Sequence, residues 1–221
     1  MLSIATQLSA DWVKTLLGFA LAIISGACFA DWQLDNETSQ LSFVSVKATD
    51  VVEVHKFNQL SGTIYDRGYD TGKSDADKPS TNRRVGELDL SVHLASVNTL
   101  IPLRDSRMRE LLFEIATFPV AKLEGQLPLA ELASLAVGDS TVAELALTLD
   151  LHGEKAPVTA SVLVSRLSPD RVMVTSQQPV VLQAQTFNLV KGIDALREVA
   201  GLPSIAKAIP VSFVFTFLKT T

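Results

Sequence analysis

The stretch from Glu87 to Leu127 has the sequence ELDLSVHLASVNTLIPLRDSRMRELLFEIATFPVAKLEGQL. Its first and last parts alternate between apolar and polar side chains, a period of two that predicts strands with one dry face and one wet face. The apolar members are Leu88, Leu90, Val92 and Leu94 in the first part and Ala121, Leu123 and Leu127 in the last. Between them, Met108, Leu111 and Leu112 have helical spacing, and we expect the carboxylate of Asp105 to cap that turn. The stretch therefore predicts a strand, a helical turn and a second strand.

The same alternation returns later in the chain. Residues 144–165 predict a β-hairpin around the turn Gly153–Pro157, and Val211–Leu218 predicts an aromatic last strand. Between these, Val190–Ala200 has the spacing of a helix, which Gly201 is expected to end.

The earlier part of the chain is also strand-like. Leu41–Lys47 and His55–Tyr65 predict two strands, and Gly62 in the second predicts a bulge or tight curvature. The polar segment Asp66–Arg84 is interpreted as a solvated hairpin loop. With two further strands after Ser168, the pattern comes to about eight antiparallel strands and two short helices, which is an all-β chain.

A sheet of this size with one apolar face must cover that face. It either packs against a second sheet or closes on itself, and closure leaves no exposed edge. A barrel of roughly eight strands is either filled by side chains or able to hold one small ligand. The inward-facing residues are largely Leu, Val, Ala and Phe, so we expect any ligand to be apolar.

Composition excludes several classes of function. Hydrophobic residues make up 47% of the 221 residues and charged residues 19%, so the chain can bury a core. Its net charge of −5 argues against nucleic acid as a partner. We find no G-x-S-x-G motif, phosphate loop or obvious acid–base pair, and therefore expect no enzyme. The three histidines, His55, His93 and His152, do not have the spacing of metal ligands, so we expect no metal site.

The first thirty residues have the character of a secretory signal peptide. Leu16–Ile24 is an apolar run too short for a membrane span, and small residues follow it. Cleavage after Ala30 predicts a periplasmic barrel domain over residues 31–221, with no membrane span and no cysteine. The alternative is a lipoprotein box in which Cys28, the single cysteine, is acylated.

Several short motifs occur in order over residues 31–221. They are Trp32-Gln33-Leu34-Asp35, Ser39-Gln40-Leu41-Ser42-Phe43, Gly62-Thr63-Ile64, Ser96-Val97-Asn98-Thr99, Arg104-Asp105, Phe118-Pro119, Leu147–Gly153 with Pro157-Val158-Thr159, and Phe187-Asn188-Leu189. On these motifs the chain resembles the YceI-like family of secreted, lipocalin-like barrels associated with binding polyisoprenoids. Arg107 stands where that family often has His. The resemblance implies an antiparallel lipocalin-like barrel that sequesters or carries an isoprenoid chain, such as a quinone tail or a polyprenyl phosphate.

The expected ligand contacts are inward-facing apolar residues together with one arginine near the helical turn. They are Phe43, Leu90, Val92, Leu147, Leu149, Phe213, Phe215 and Arg104. No cofactor is expected beyond a bound isoprenoid lipid or quinone, and a homodimer is left open. The alternatives are a filled barrel that docks a protein partner and a non-thiol enzyme acting on an isoprenoid lipid.

Two polar features have structural interpretations. Arg104 is expected either to pair with Asp105 or to meet a ligand head group at the barrel mouth. By strand parity, His93 and His152 are expected to face solvent.

Overall fold

The structure is a computed structural model that describes residues 30–70, 83–130 and 134–220, with the side chains of residues 69, 70 and 83 excepted. The described part contains β1 (Trp32–Leu34), β2 (Gln40–Lys47), β3 (Val51–Phe57), β4 (Leu60–Asp70), β5 (Arg83–His93), β6 (Val97–Asn98), β7 (Val120–Leu127), β8 (Ser140–Leu151), β9 (Glu154–Ser168), β10 (Arg171–Ser176), β11 (Val180–Gln183) and β12 (Ala208–Lys219). Its helices are α1 (Pro102–Arg107), which continues into a π-helical turn over Met108–Leu112, and α2 (Val190–Val199). The predicted signal peptide and Cys28 lie outside the described residues.

Eight strands close into an antiparallel barrel in the order β1-β4-β5-β7-β8-β9-β10-β12, and β12 pairs with β1 to complete the ring. The strand β12 is shared by two halves of the wall. Its first half pairs with β11 and β2, and its second half pairs with β10 and β1. Beyond β2 the wall continues through β3 to the short β6. The prediction of a closed all-β barrel of eight strands with two short helices is confirmed.

The period-two pattern does place one face of each long strand inside. Leu90 on β5 and Val162 and Val164 on β9 are almost fully buried, and β8 and β9 pair along their whole length as the predicted hairpin. The turn of that hairpin is shorter than expected, because Glu154–Pro157 already belongs to β9.

The predicted strand His55–Tyr65 is wrong in its continuity. It is interrupted at Asn58 and Gln59, where the side chain of Asn36 accepts a hydrogen bond from the Leu60 N–H (2.7 Å) and donates one to the Asn58 carbonyl oxygen (3.2 Å). Asn36 lies in the break between β1 and β2, so its side chain joins that break to the break between β3 and β4.

The interpretation of Asp66–Arg84 as a solvated loop is wrong at both ends. Asp66 lies in β4 with a buried carboxylate that accepts hydrogen bonds from the Arg84 guanidinium on β5. The strand irregularity also falls between Asp66 and Tyr69, around Gly68 at φ 72°, and not at Gly62. Residues 71–82 lie outside the described residues.

The two helices pack against each other at one end of the barrel. A Cβ at Gly192 of α2 would lie 2.6 Å from the Leu111 carbonyl oxygen and 2.7 Å from the Leu112 Cα, so only glycine permits this approach. The helix α2 ends as predicted, with Gly201 in the left-handed region at φ 62°.

Asp105 is not the N-cap that its position in the sequence suggested. The helix α1 begins earlier because Pro102 occupies its first turn, and Ile101 is the N-cap residue. The carboxylate of Asp105 instead accepts a hydrogen bond from the Thr99 N–H (2.8 Å), which fastens the loop before the helix.

Candidate functional site

An apolar cavity of about 190 Å³ lies inside the barrel at the end where the two helices pack. Every residue that lines it is aliphatic or aromatic. Seven of the eight residues expected to contact a ligand are among them: Phe43, Leu90, Val92, Leu147, Leu149, Phe213 and Phe215. Parity along the strands therefore places these seven side chains on the inner surface of one chamber.

The last strand gives the cavity its length. Ile209, Val211, Phe213 and Phe215 all line it and lie on the same face of β12. Six residues of strand correspond to about 20 Å at the ordinary rise per residue. The rings of Phe213 and Phe215 stack with centroids 4.6 Å apart, so they form one flat apolar surface along the wall.

On β5 and β9, buried side chains lie between the residues of this cavity and those of a second chamber. Leu34, Leu88 and Val162 belong to the core, and the side chain of Val162 is completely inaccessible. Beyond these side chains lies this distal chamber of about 280 Å³, whose lining includes Trp32 and Arg84 and shares no residue with the first cavity.

The helix end holds a polar mouth chamber of about 170 Å³. Phe43, Leu112, Ile193 and Ile209 line both this chamber and the apolar cavity, so the two are adjacent and share this wall. The ionisable residues that line the mouth chamber are Lys47, Glu53, His55, Arg104 and Arg107.

Arg104, the eighth expected ligand contact, lies in this mouth chamber. Its guanidinium donates hydrogen bonds to the Thr99 Oγ1 (2.9 Å) and carbonyl oxygen (2.8 Å), and to the Glu53 Oε2 (2.7 Å). The expected pairing with Asp105 is wrong, because Arg104 reaches across to β3. Glu53 also pairs with Lys47 at 2.8 Å, and the Lys47 hydrogen bond and the Arg104 charge lower the pKa of Glu53.

His55 is a residue of this site that the sequence reasoning missed. Its side chain is only 4% exposed, it lies opposite Phe43 in the register of β2 and β3, and the two rings meet at 5.3 Å edge to face. Its Nδ1 has no hydrogen-bond partner among the described residues, and its Nε2 is 3.8 Å from the Glu53 Oε2. Burial, followed by the charge of Arg104, lowers the pKa of His55, so the imidazole is neutral at neutral pH.

The other two histidines differ from each other. His93 is exposed at the end of β5, as expected. The expectation for His152 is wrong, because its side chain is 9% exposed and packs on Phe118 with ring centroids 4.4 Å apart. Strand parity does not apply to His152, since it sits in the left-handed region of the β8–β9 turn at φ 55°.

Within residues 30–70, 83–130 and 134–220, no three of the His, Cys, Asp and Glu side chains lie together in a way that could hold a metal ion. No helix in that part is both long enough and apolar enough to cross a membrane.

Comparison with known proteins decides the family. The model of the YceI-like domain matches residues 32–217, which is most of the chain. The chain belongs to the YceI-like family. The resemblance inferred from the sequence motifs is thereby confirmed.

Solved YceI-like and related structures agree with the fold. A polyisoprenoid-binding domain from Saccharophagus degradans, implicated in plant cell wall breakdown, is 38% identical with a TM-score of 0.76, over 86% of this chain and 98% of that one. BcnA from Burkholderia cenocepacia is 17% identical with a TM-score of 0.57, over 83% of this chain and 98% of that one, and shows the shared fold alone. No curated protein matches the chain at a significant level.

Proposed function

We propose that this YceI-like chain is a lipid-binding barrel that holds an isoprenoid chain in its apolar cavity, with the head group in the mouth chamber. The observation that carries this proposal is a wholly apolar cavity that shares a wall with a chamber lined by five ionisable residues. The similarity to the Saccharophagus degradans polyisoprenoid-binding domain supports it. An open cavity of this kind does not favour the alternative of a filled barrel.

The driving force is the transfer of apolar ligand surface out of water. Burial contributes about 25 cal/mol for each Å² of apolar surface, so a chain with several isoprene units binds without any charged contact. Specificity for a chain over a compact ligand follows from the length of the cavity along β12. We assign no catalytic residue to this function.

The head group is proposed to be a quinone in preference to a polyprenyl phosphate. Lys47 and Arg104 are already paired with Glu53, which leaves less unpaired positive charge for a phosphate. The neutral His55, with its unpartnered Nδ1 beside Phe43, suits the carbonyl or hydroxyl oxygen of an uncharged ring.

The test is saturable binding of ubiquinone and of a polyprenyl phosphate to the purified protein, together with mass spectrometry of lipid extracted from protein made in its native host. Ala160 is buried and lines the apolar cavity, so Ala160→Phe should fill the cavity and weaken isoprenoid binding at least roughly tenfold. Ala143 lines the distal chamber, and Ala143→Phe is the matched control that should bind normally. Equal binding by wild type and a folded Ala160→Phe protein would contradict the proposal.

The cellular location is proposed to be the periplasm, from the apolar run Leu16–Ile24 and the small residues that follow it. The mass of the mature protein tests this. Cleavage after Ala30 gives an unmodified chain that begins at Asp31, whereas the alternative leaves an acylated Cys28 at the N-terminus.

A further inference from the structure

Exposed aliphatic side chains are concentrated beside the mouth chamber. Of the twelve large hydrophobic residues that are exposed in the described part of the chain, seven lie on β3, on the loop and first turn of α1, or at the end of α2. We call these seven the apolar rim: Val51, Val52, Val54, Leu100, Ile101, Leu103 and Val199. The outer surface of a barrel in water is normally polar, so this concentration requires an explanation.

Leu100 is the most exposed member of the rim and has an uncommon backbone. It is 85% exposed and lies in the left-handed region at φ 63°, where glycine or asparagine is usual. The Asn98 side-chain oxygen accepts a hydrogen bond from the Leu100 N–H (2.9 Å), and Asp105 fastens the neighbouring Thr99. The chain thus holds a leucine side chain out in solvent at a position that neither packing nor backbone preference favours.

Hydrogen bonds and one ion pair connect the segments that carry the rim residues. The register of β3 with β6 pairs Lys56 with Asn98, which lies two residues before Leu100, and Val54 on β3 is 67% exposed. The ion pair between Arg104 and Glu53 ties α1 to β3. On the other side, the Arg107 guanidinium donates a hydrogen bond to the Val199 carbonyl oxygen at 3.4 Å.

The residues that line the mouth chamber carry an excess of positive charge, even though Lys47 and Arg104 both pair with Glu53. Three cationic residues, Lys47, Arg104 and Arg107, line the chamber against one carboxylate, that of Glu53. The whole chain has a net charge of −5. An anionic surface is therefore attracted to this end of the barrel more than to the rest of the molecule.

We propose that the apolar rim inserts into the surface of a phospholipid bilayer that carries anionic lipids, and so presses the mouth chamber against the membrane. This inference rests on the proposed function, because it gives the isoprenoid chain a path from bilayer to cavity that avoids water. Leu100 and Leu103 are exposed on a loop and on a first helical turn, and the chamber beside them carries an excess of positive charge. These features suit shallow insertion among acyl chains better than docking on a protein surface.

The test is co-sedimentation with vesicles of phosphatidylcholine, with and without phosphatidylglycerol. The double variant Leu100→Asn with Leu103→Gln should partition at least roughly tenfold less onto the anionic vesicles than wild type. Asparagine tolerates the left-handed backbone at position 100, so this variant should remain folded.

The matched control is Leu167→Gln, which removes an exposed leucine near the far end of β9 and should partition like wild type. Wild-type binding should be weaker to vesicles without phosphatidylglycerol and at high salt.

Equal partitioning of wild type and the double variant would overturn the proposal, as would failure of the wild type to bind either vesicle. If ultracentrifugation shows a wild-type dimer that the double variant dissociates, the rim is a contact between copies of this chain and the proposal is also overturned. Isoprenoid delivered from cyclodextrin measures cavity binding without a membrane. If the wild type does not bind isoprenoid delivered in this way, the proposed function is refuted. If it binds the isoprenoid normally but does not associate with vesicles, only the membrane docking is refuted.

Discussion

His55 carries a polar side chain into surroundings that are largely apolar. Its ring packs on Phe43, and its neighbours Lys47, Glu53, Arg104 and Asp105 all influence its titration. The two carboxylates favour the charged imidazole, while burial and the two cations oppose it, and the opposing effects win. A neutral histidine at the junction of the apolar cavity and the mouth chamber keeps that junction free of charge at neutral pH.

This lowered pKa makes stability depend on pH. The folded protein binds the His55 proton less readily than the unfolded chain, so the contribution of His55 is complete above pH 6.5, the ordinary value, and is lost as the pH falls from 6.5 toward the lowered pKa. We expect the free energy of unfolding, measured by urea denaturation, to decrease over that window by about 1.4 kcal/mol for each unit by which the pKa is lowered. His55→Phe should remove this pH dependence of the free energy of unfolding. The control variant His93→Gln, at an exposed position, should keep the same pH dependence as wild type. The lowered pKa of Glu53 acts separately, at pH below 4.5. A flat profile for wild type between pH 6.5 and 4.5 would contradict the assignment.

At the scale of elements, the contact between α2 and the π-helical turn depends on Gly192. Because a Cβ there would meet backbone atoms of Leu111 and Leu112, Gly192→Ala must push the helix away from the mouth chamber. We expect a loss of about 1–3 kcal/mol in the free energy of unfolding, measured by denaturant titration. At Gly201 a Cβ would meet nothing, so Gly201→Ala should cost only about 1 kcal/mol of backbone strain. A larger effect at Gly201 than at Gly192 would show that this close packing is not important.

The elements also show what the sequence could predict. The alternation in β5, β8, β9 and β12 depends on neighbouring residues, so it predicted these strands and six of the seven cavity-lining side chains, the seventh being Phe43 on β2. The break between β3 and β4 depends on Asn36, 24 residues before the amide that it binds, and no local pattern shows it. The pairing of Arg104 with Glu53 joins residues 51 positions apart, so the composition of the mouth chamber was equally hidden. His55 follows the parity of Phe57 on β3, and that signal could have identified it.

At the scale of the whole molecule, the barrel is divided into two chambers by the layer of Leu34, Leu88 and Val162. Leu88→Ala should connect the apolar cavity with the distal chamber, at a cost of about 2–5 kcal/mol in the free energy of unfolding. We expect the variant to gain affinity for longer isoprenoid chains relative to shorter ones, measured by titration with a series of chain lengths. Leu129→Ala removes a buried leucine from the distal chamber without opening the layer, and should leave the preference unchanged. An unaltered preference in Leu88→Ala would show that the layer does not limit the ligand.

The position of β12 in the ring determines when the barrel can close during folding. This strand follows all the others in the chain, yet it pairs with β1, β2, β10 and β11. The wall therefore cannot be completed until residues 208–219 have been synthesised. Contacts between segments so far apart in sequence also form slowly. Before β12 pairs with its neighbours, the apolar interior is accessible to solvent, so we expect the incomplete barrel to be prone to aggregation. A lipid that is present when β12 pairs can be enclosed.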